Sequence, residues 1–162
     1  MAKRHTLKDT KKGASEPAIA YGESKASKYS PAWVVDNSKS APGYHLQLIG
    51  QIRNGVKKSD WKHLIYNIGA TEKELEYILP GSISSMQKKT VYGKETSERI
   101  YELAKLYGLG YEVFDTKDAF KTWLMSPSRA LGGKPPFELL DSSFGFKMVE
   151  NEIIRIQYNV YS

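Results

Sequence analysis

From Tyr44 onward the apolar positions of this chain recur at three- and four-residue spacing, and no stretch reads as a sheet, so the pattern predicts an all-α fold. Leu46, Ile49, Ile52 and Val56 mark a first helix that Gly55 is placed to stop. Ser59 is suited to cap a second, whose apolar face is Trp61, Leu64, Ile65 and Ile68 and whose stop is Gly69. Thr71-Glu72-Lys73-Glu74 has the form of a capping box, and Leu75, Ile78 and Leu79 follow on one face until Pro80-Gly81. A short helix over Ser82 to Thr90 turns Ile83 and Met86 inward.

After Tyr92-Gly93 a long helix is expected from about Lys94 into Phe114, with Ile100, Leu103, Leu106, Tyr107, Val113 and Phe114 in register and Gly108 and Gly110 allowing close packing or a bend. Asp115 or Thr116 caps the next, which presents Ala119, Phe120, Trp123 and Leu124 and is broken by Ser126-Pro127. Gly132 to Pro136 reads as a turn, with a proline suited to open a helix from Phe137 to about Ser142. The last helix begins near Gly145 and lines up Phe146, Val149, Ile153 and Ile156.

Composition changes the picture at both ends. Residues 1–42 are rich in Lys, Ser, Ala and Gly, a composition that buries too little surface to offset chain ordering, so a flexible basic tail is expected there. Lys3, Arg4, Lys8, Lys11 and Lys12 fit either a solubilising leader or a nucleic-acid arm. Ala32-Trp33-Val34-Val35 is the tail's apolar exception, suited to dock on its own domain or on a twin subunit. Charge is uneven as well. From Trp123 to Ser162, Arg129, Lys134, Lys147 and Arg155 are balanced by Glu138, Asp141, Glu150 and Glu152, so the rest of the chain carries the whole formal +6. A basic body suits a polyanionic partner, and a neutral apolar end suits a protein partner.

The chain has no cysteine and three histidines, His5, His45 and His63, which leaves no disulfide, thiol chemistry or evident metal cage. No stretch approaches the about 20 apolar residues of a membrane span, and the basic start lacks the apolar core of a secretory signal, so a cytoplasmic protein with no membrane partner is expected. Asp60 and His63 share a helix face without a nucleophile beside them. Gly132-Gly133-Lys134 lacks the spacing of a phosphate loop, and Gly108-x-Gly110 lies inside a helical pattern. The reading is therefore of a protein that is not an enzyme and needs no cofactor.

Two segments suit binding. Thr71 to Lys89 fits a helix-turn-helix or an ordinary αα-hairpin with a solvated face. Ser82, Ser84, Ser85, Gln87, Lys88 and Lys89 would supply DNA contacts in the first case, because serine and glutamine reach base edges and phosphates while lysine neutralises phosphate charge. A DNA reader of that kind is expected to dimerise. The end, from Tyr158 through Asn159, Val160 and Tyr161 to Ser162, has more apolar area than a helix closing its own core requires, and rigid tyrosines suit insertion into a partner's pocket.

Three blocks in order carry a resemblance: Glu98-Arg99 within KETSERIYELAKLYGLGYEVF; Trp123-Leu124 followed by Pro127 and Ala130-Leu131-Gly132-Gly133-Lys134-x-Pro136; and Arg155-Ile156-x-Tyr158-x-Val160. Over residues 44–162 the chain resembles the Xre/MbcA/ParS antitoxins, which neutralise RES-type toxins. The resemblance implies an Xre-like helix-turn-helix domain over 43–114 and a small helical toxin-binding domain over 115–162. It implies a RES-domain toxin as partner, whose NAD-consuming cleft the second domain covers. It also implies operon autoregulation at operator DNA, as a homodimer within a larger toxin–antitoxin complex.

Carried onto these residues, the toxin contacts would be Leu131, Gly132, Gly133, Lys134, Arg155, Tyr158, Val160 and Tyr161, with Asn159 and Ser162 completing the tip. Asn159 stands where such antitoxins typically have glycine, and asparagine is the next-best residue for a left-handed turn. The expected reading helix has no arginine, the residue that most often reads guanine. A stand-alone repressor without a toxin is the alternative reading.

Overall fold

The computed structural model describes residues 44–158, with the side chains at 44, 45 and 47 excepted. The tail, Trp33, His45 and the tip residues Asn159, Val160, Tyr161 and Ser162 lie outside that description. The described residues are all-α: six α-helices and two short 3-10 turns, joined by two isolated β-bridges and no strand. The helices are α1 (Tyr44–Asn54), α2 (Lys58–Ile68), α3 (Ile83–Gln87), α4 (Lys94–Val113), α5 (Lys117–Met125) and α6 (Ser143–Gln157), with 3-10 turns at Arg129–Leu131 and Pro136–Leu139.

Helix α4 is the axis of the molecule. It packs against α1, α2, α5 and α6, and its Ile100, Leu103 and Leu106 are fully buried. Helix α1 meets it on a different face from the expected one. Leu48 is buried, Ile52 is half-buried and Val56 is buried, whereas Leu46 and Ile49 are exposed. The apolar pattern admits two stripes that share Ile52 and Val56, and contact with α4 selects the one through Leu48. Gly55 ends the helix at φ 91°, and a Cβ there would sit 2.4 Å from the Tyr92 carbonyl oxygen, so glycine is required on both counts.

The chain then runs beside residues 90–92. The Lys58 amide donates to Thr90 O (2.8 Å), and the Tyr92 amide donates to Val56 O (2.9 Å). Ser97, wholly buried, closes this crossing. Its hydroxyl accepts from the Val56 amide at 2.9 Å and donates to Tyr92 O at 3.3 Å. A buried hydroxyl is tolerated here because both of its capacities are used.

Helix α2 buries Trp61, Leu64 and Ile68 and stops at left-handed Gly69, as its pattern predicts. It starts one residue before Ser59, however, with Lys57 as N-cap and no side-chain cap bond; the Ser59 hydroxyl donates to Asp60 Oδ1 at 3.3 Å instead. The capping box does form. Thr71 Oγ1 accepts from the Glu74 amide (3.2 Å), and Glu74 Oε2 accepts from the Thr71 amide (2.7 Å), which holds the Glu74 carboxyl below the usual glutamate range. Yet 72–78 is a succession of turns rather than the regular helix expected, with one i−4 backbone bond, from Leu75 to Thr71, followed by two i−3 bonds. Leu75, Ile78 and Leu79 are buried all the same. Side-chain burial, not a continuous hydrogen-bond ladder, holds that segment.

The second half is more regular. Thr116 is the cap of α5, accepting from the Ala119 amide at 3.0 Å. Phe120 lies in an aromatic nest, edge-on to Tyr107 (5.2 Å between centroids) and Tyr111 (5.8 Å), with Phe114 and Trp123 alongside. Gly110 lets it in: a Cβ would lie 2.4 Å from the Phe120 ring. Gly110 thus serves close packing, and α4 runs unbroken through Gly108 and Gly110. Ala119 is exposed rather than core-facing.

Pro136 opens a single 3-10 turn where a longer helix was expected. Helix α6 begins two residues before Gly145, capped by Ser142, whose Oγ accepts from the Gly145 amide at 3.1 Å. Phe146, Val149 and Ile153 reach the core, while Ile156 is half-buried. One core connects Val56 with Ile153 and draws side chains from α2 through α6.

Candidate functional site

The loop after α5 is built on two left-handed glycines. Gly132 (φ 70°) ends the 3-10 turn Arg129–Leu131 and Gly133 (φ 78°) follows, so the chain reverses and Ser128 pairs with Lys134. The Ser128 amide donates to Lys134 O at 3.1 Å, and the Gly133 amide donates to Ser128 O at 2.8 Å. Beneath this reversal Leu131 is 7% exposed and belongs to the core. Leu131 therefore anchors the loop, leaving Gly132, Gly133 and Lys134 exposed at its surface. Pro136, also buried, pins the other end.

The loop rests on α6, which carries the remaining candidates among the described residues. Arg155 is half-exposed and its Nη1 donates to Glu152 Oε2 at 3.3 Å, one helical turn back. Tyr158, at the helix end, is 70% exposed.

Helix α6 is locked to α4 by two contacts that the sequence reading did not identify. Arg99 stacks over the Phe146 ring at 5.2 Å and pairs with Glu102 at 3.0 Å. Glu150, buried, meets Lys105 at 3.0 Å, with Lys147 at 3.7 Å. The Arg99 of the sequence motif is therefore a brace between helices. A lone Glu150 on an apolar face and a Lys105 on the long helix were the available signal, but their pairing is 45 residues apart in sequence.

The DNA candidates share one small element. Ser82 caps α3, its Oγ accepting from the Ser85 amide, and Ser82, Ser84, Ser85, Gln87, Lys88 and Lys89 are all exposed around the buried Met86. Gln87 is engaged within the protein: its side-chain Nε2 donates to Glu72 at 3.2 Å, while its backbone carbonyl accepts from Lys58 Nζ at 2.6 Å. That second bond brings a further lysine to the same side. His63 is exposed, and no group of three or more metal-ligating side chains occurs among the described residues. No helix among the described residues is long and apolar enough to cross a membrane.

A family model for the antitoxin Xre/MbcA/ParS C-terminal toxin-binding domain matches residues 109–158, the span from the end of α4 to Tyr158. A protein of Sphingobium sp. (strain YBL2) named Prs ADP-ribosylating antitoxin is 31% identical over 127 residues, covering 70% of this chain and 80% of that protein. The chain belongs to the Xre/MbcA/ParS antitoxin family. The antitoxin's toxin-binding domain thus includes the glycine loop, the Arg155–Glu152 pair and the exposed Tyr158. Its α3 and basic side lie before the matched span.

Proposed function

We propose that this antitoxin neutralises a RES-domain toxin by covering its NAD-consuming cleft with the loop Gly132-Gly133-Lys134 and with the end of α6, through Arg155, Tyr158 and residues Asn159, Val160, Tyr161 and Ser162. The observation that carries the reading is the toxin-binding match over 109–158, within which Lys134, Arg155 and Tyr158 are accessible on a rigid frame. The Sphingobium relative's name joins an antitoxin with ADP-ribosylation, a reaction that uses NAD, and this agrees with NAD chemistry in the proposed toxin–antitoxin pair. Leu131 and Glu152 act by holding the loop and the Arg155 guanidinium in place.

In this reading residues 43–114 serve operator DNA and residues 115–162 serve the toxin, a division of labour laid over one shared core. The exposed face of α3 supplies Ser82, Ser84, Ser85, Gln87, Lys88 and Lys89 to DNA, and a homodimer presents it twice for autoregulation within the toxin complex. The chain works in the cytoplasm, without a cofactor and without catalysis of its own.

Co-expression with a cognate RES-domain toxin tests the toxin half. The full chain restores growth, and deletion of residues 159–162 combined with Arg155→Ala and Tyr158→Ala abolishes protection; protection that survives those changes overturns cleft coverage. For the DNA half, Lys88→Ala with Lys89→Ala should weaken operator binding and lower the salt slope by about 2. Unchanged binding would remove α3 from the interface. Operator binding by a chain that binds no RES-domain toxin would favour the stand-alone repressor.

A further inference from the structure

Helix α6 is apolar on both sides. Its inner face is the core stripe of Phe146, Val149 and Ile153, yet Phe144 is 76%, Tyr158 70%, Ile154 37% and Met148 36% exposed. Single exposed hydrophobes are ordinary on a protein surface; several on one face of one helix are not. At 100° per residue, Phe144, Met148, Asn151, Arg155 and Tyr158 fall within about 80° of one another, with Ile154 at the edge. The outward stripe therefore runs about 21 Å along the helix, opposite the core. Charge within it is confined to Arg155, paired with Glu152, and Lys147, which lies between Tyr158 and Ile154 and pairs with Glu150.

We propose that this outward face of α6 is a docking stripe that lies along an apolar groove at the rim of the toxin's cleft. The inference rests on the toxin-binding reading above and extends the contact from the tip to the whole helix. Three observations choose the toxin as occupant. The whole stripe lies inside the matched toxin-binding domain, which spans 109–158. The stripe ends at Tyr158, where the chain passes directly into the residues proposed to enter the cleft, so a tip seated in the cleft brings the preceding helix face to its rim. The region is also neutral over its last forty residues, as an apolar protein contact prefers and a nucleic-acid contact does not.

The helix is braced for this task from behind. Arg99 on Phe146 and Lys105 on Glu150 fix α6 against α4, so its outer side chains are presented on a rigid support, which lowers the ordering cost of binding. Phe144 is the expected anchor, being aromatic and largely exposed in the free protein, with Met148 adapting around it.

The test uses the full chain carrying Phe144→Ala and Met148→Ala, with a second variant lacking residues 159–162. Affinity for the purified RES-domain toxin is read by competition, folding by circular dichroism, and self-association by light scattering. The stripe variant should stay folded, keep its oligomeric state and bind the toxin at least about tenfold more weakly. Affinity within about twofold of the unmodified chain, while the tip deletion still loses binding, overturns the stripe and leaves the toxin reading standing. Loss of self-association with toxin affinity retained also overturns it, assigning the face to a second copy of this chain. If the unmodified chain binds no RES-domain toxin, the parent reading fails, and the stripe as toxin contact fails with it.

Discussion

Residues 71–92 and residues 94–157 close on the same core but are held by different means. In the first region the backbone makes turns and one five-residue helix, and order comes from a few side chains, Leu75, Ile78 and Met86 inward and a capping box outside, with Ser97 of α4 bonding Val56 and Tyr92 from across the crossing. In the second, a 20-residue and a 15-residue helix lie against each other, with an aromatic nest, a cation over a ring and a part-buried ion pair between elements. The contrast matches the two tasks proposed for them. An element that reads DNA needs one exposed, polar turn set on a core, whereas a surface that seats an apolar protein partner profits from rigid support.

The largest expected effect lies in the rigid half. Phe120→Ala should cost about 3–5 kcal/mol in urea unfolding, since it empties the nest against Gly110, which has no side chain to refill it. A loss below about 1 kcal/mol would show that the nest is not what makes this half rigid.

Next comes Met86→Ala, with an expected cost of about 2 kcal/mol, because Met86 is the one fully inward side chain of α3. Its signature should be local: faster amide exchange across 71–90 with protection in α4 and α6 retained. Exchange that rises equally everywhere would erase the distinction between the two regions.

The smallest effect belongs to the capping box. The depressed folded-state pKa of Glu74 means that its contribution is fully present above the unfolded glutamate value and is lost as pH falls through the folded one. Glu74→Gln should therefore cost a few tenths of a kcal/mol at neutral pH, discounted for the solvent around it, and the gap from the unmodified chain should close in acid. A gap that stays constant down to acid pH would assign the stabilisation to Thr71 alone.

Much of the frame was readable in the residues. Gly55 and Gly69 stop their helices, Thr116 caps α5, and the long helix begins and ends where its apolar spacing does. The misplacements share a cause. The Leu46/Ile49 stripe on α1 and the regular helix at 72–78 were locally consistent choices, and each was decided by what the neighbouring α4 or core allowed. In the candidate site, the left-handed turn at Gly132-Gly133 was legible because glycine pairs of that kind mark themselves in sequence. Leu131, by contrast, looked like a contact and is an anchor.

Local chemistry, then, belongs to the sequence: which glycines turn the chain, which hydroxyls cap, and which end is neutral and apolar. The tertiary structure decided which of two apolar faces each helix turns inward. It thereby buried Leu48 and Leu131, joined Lys105 to Glu150, and left Phe144 and Met148 facing outward on α6. The physical reason is that helical periodicity fixes faces relative to one another, while the choice of buried face depends on partners distant in the chain.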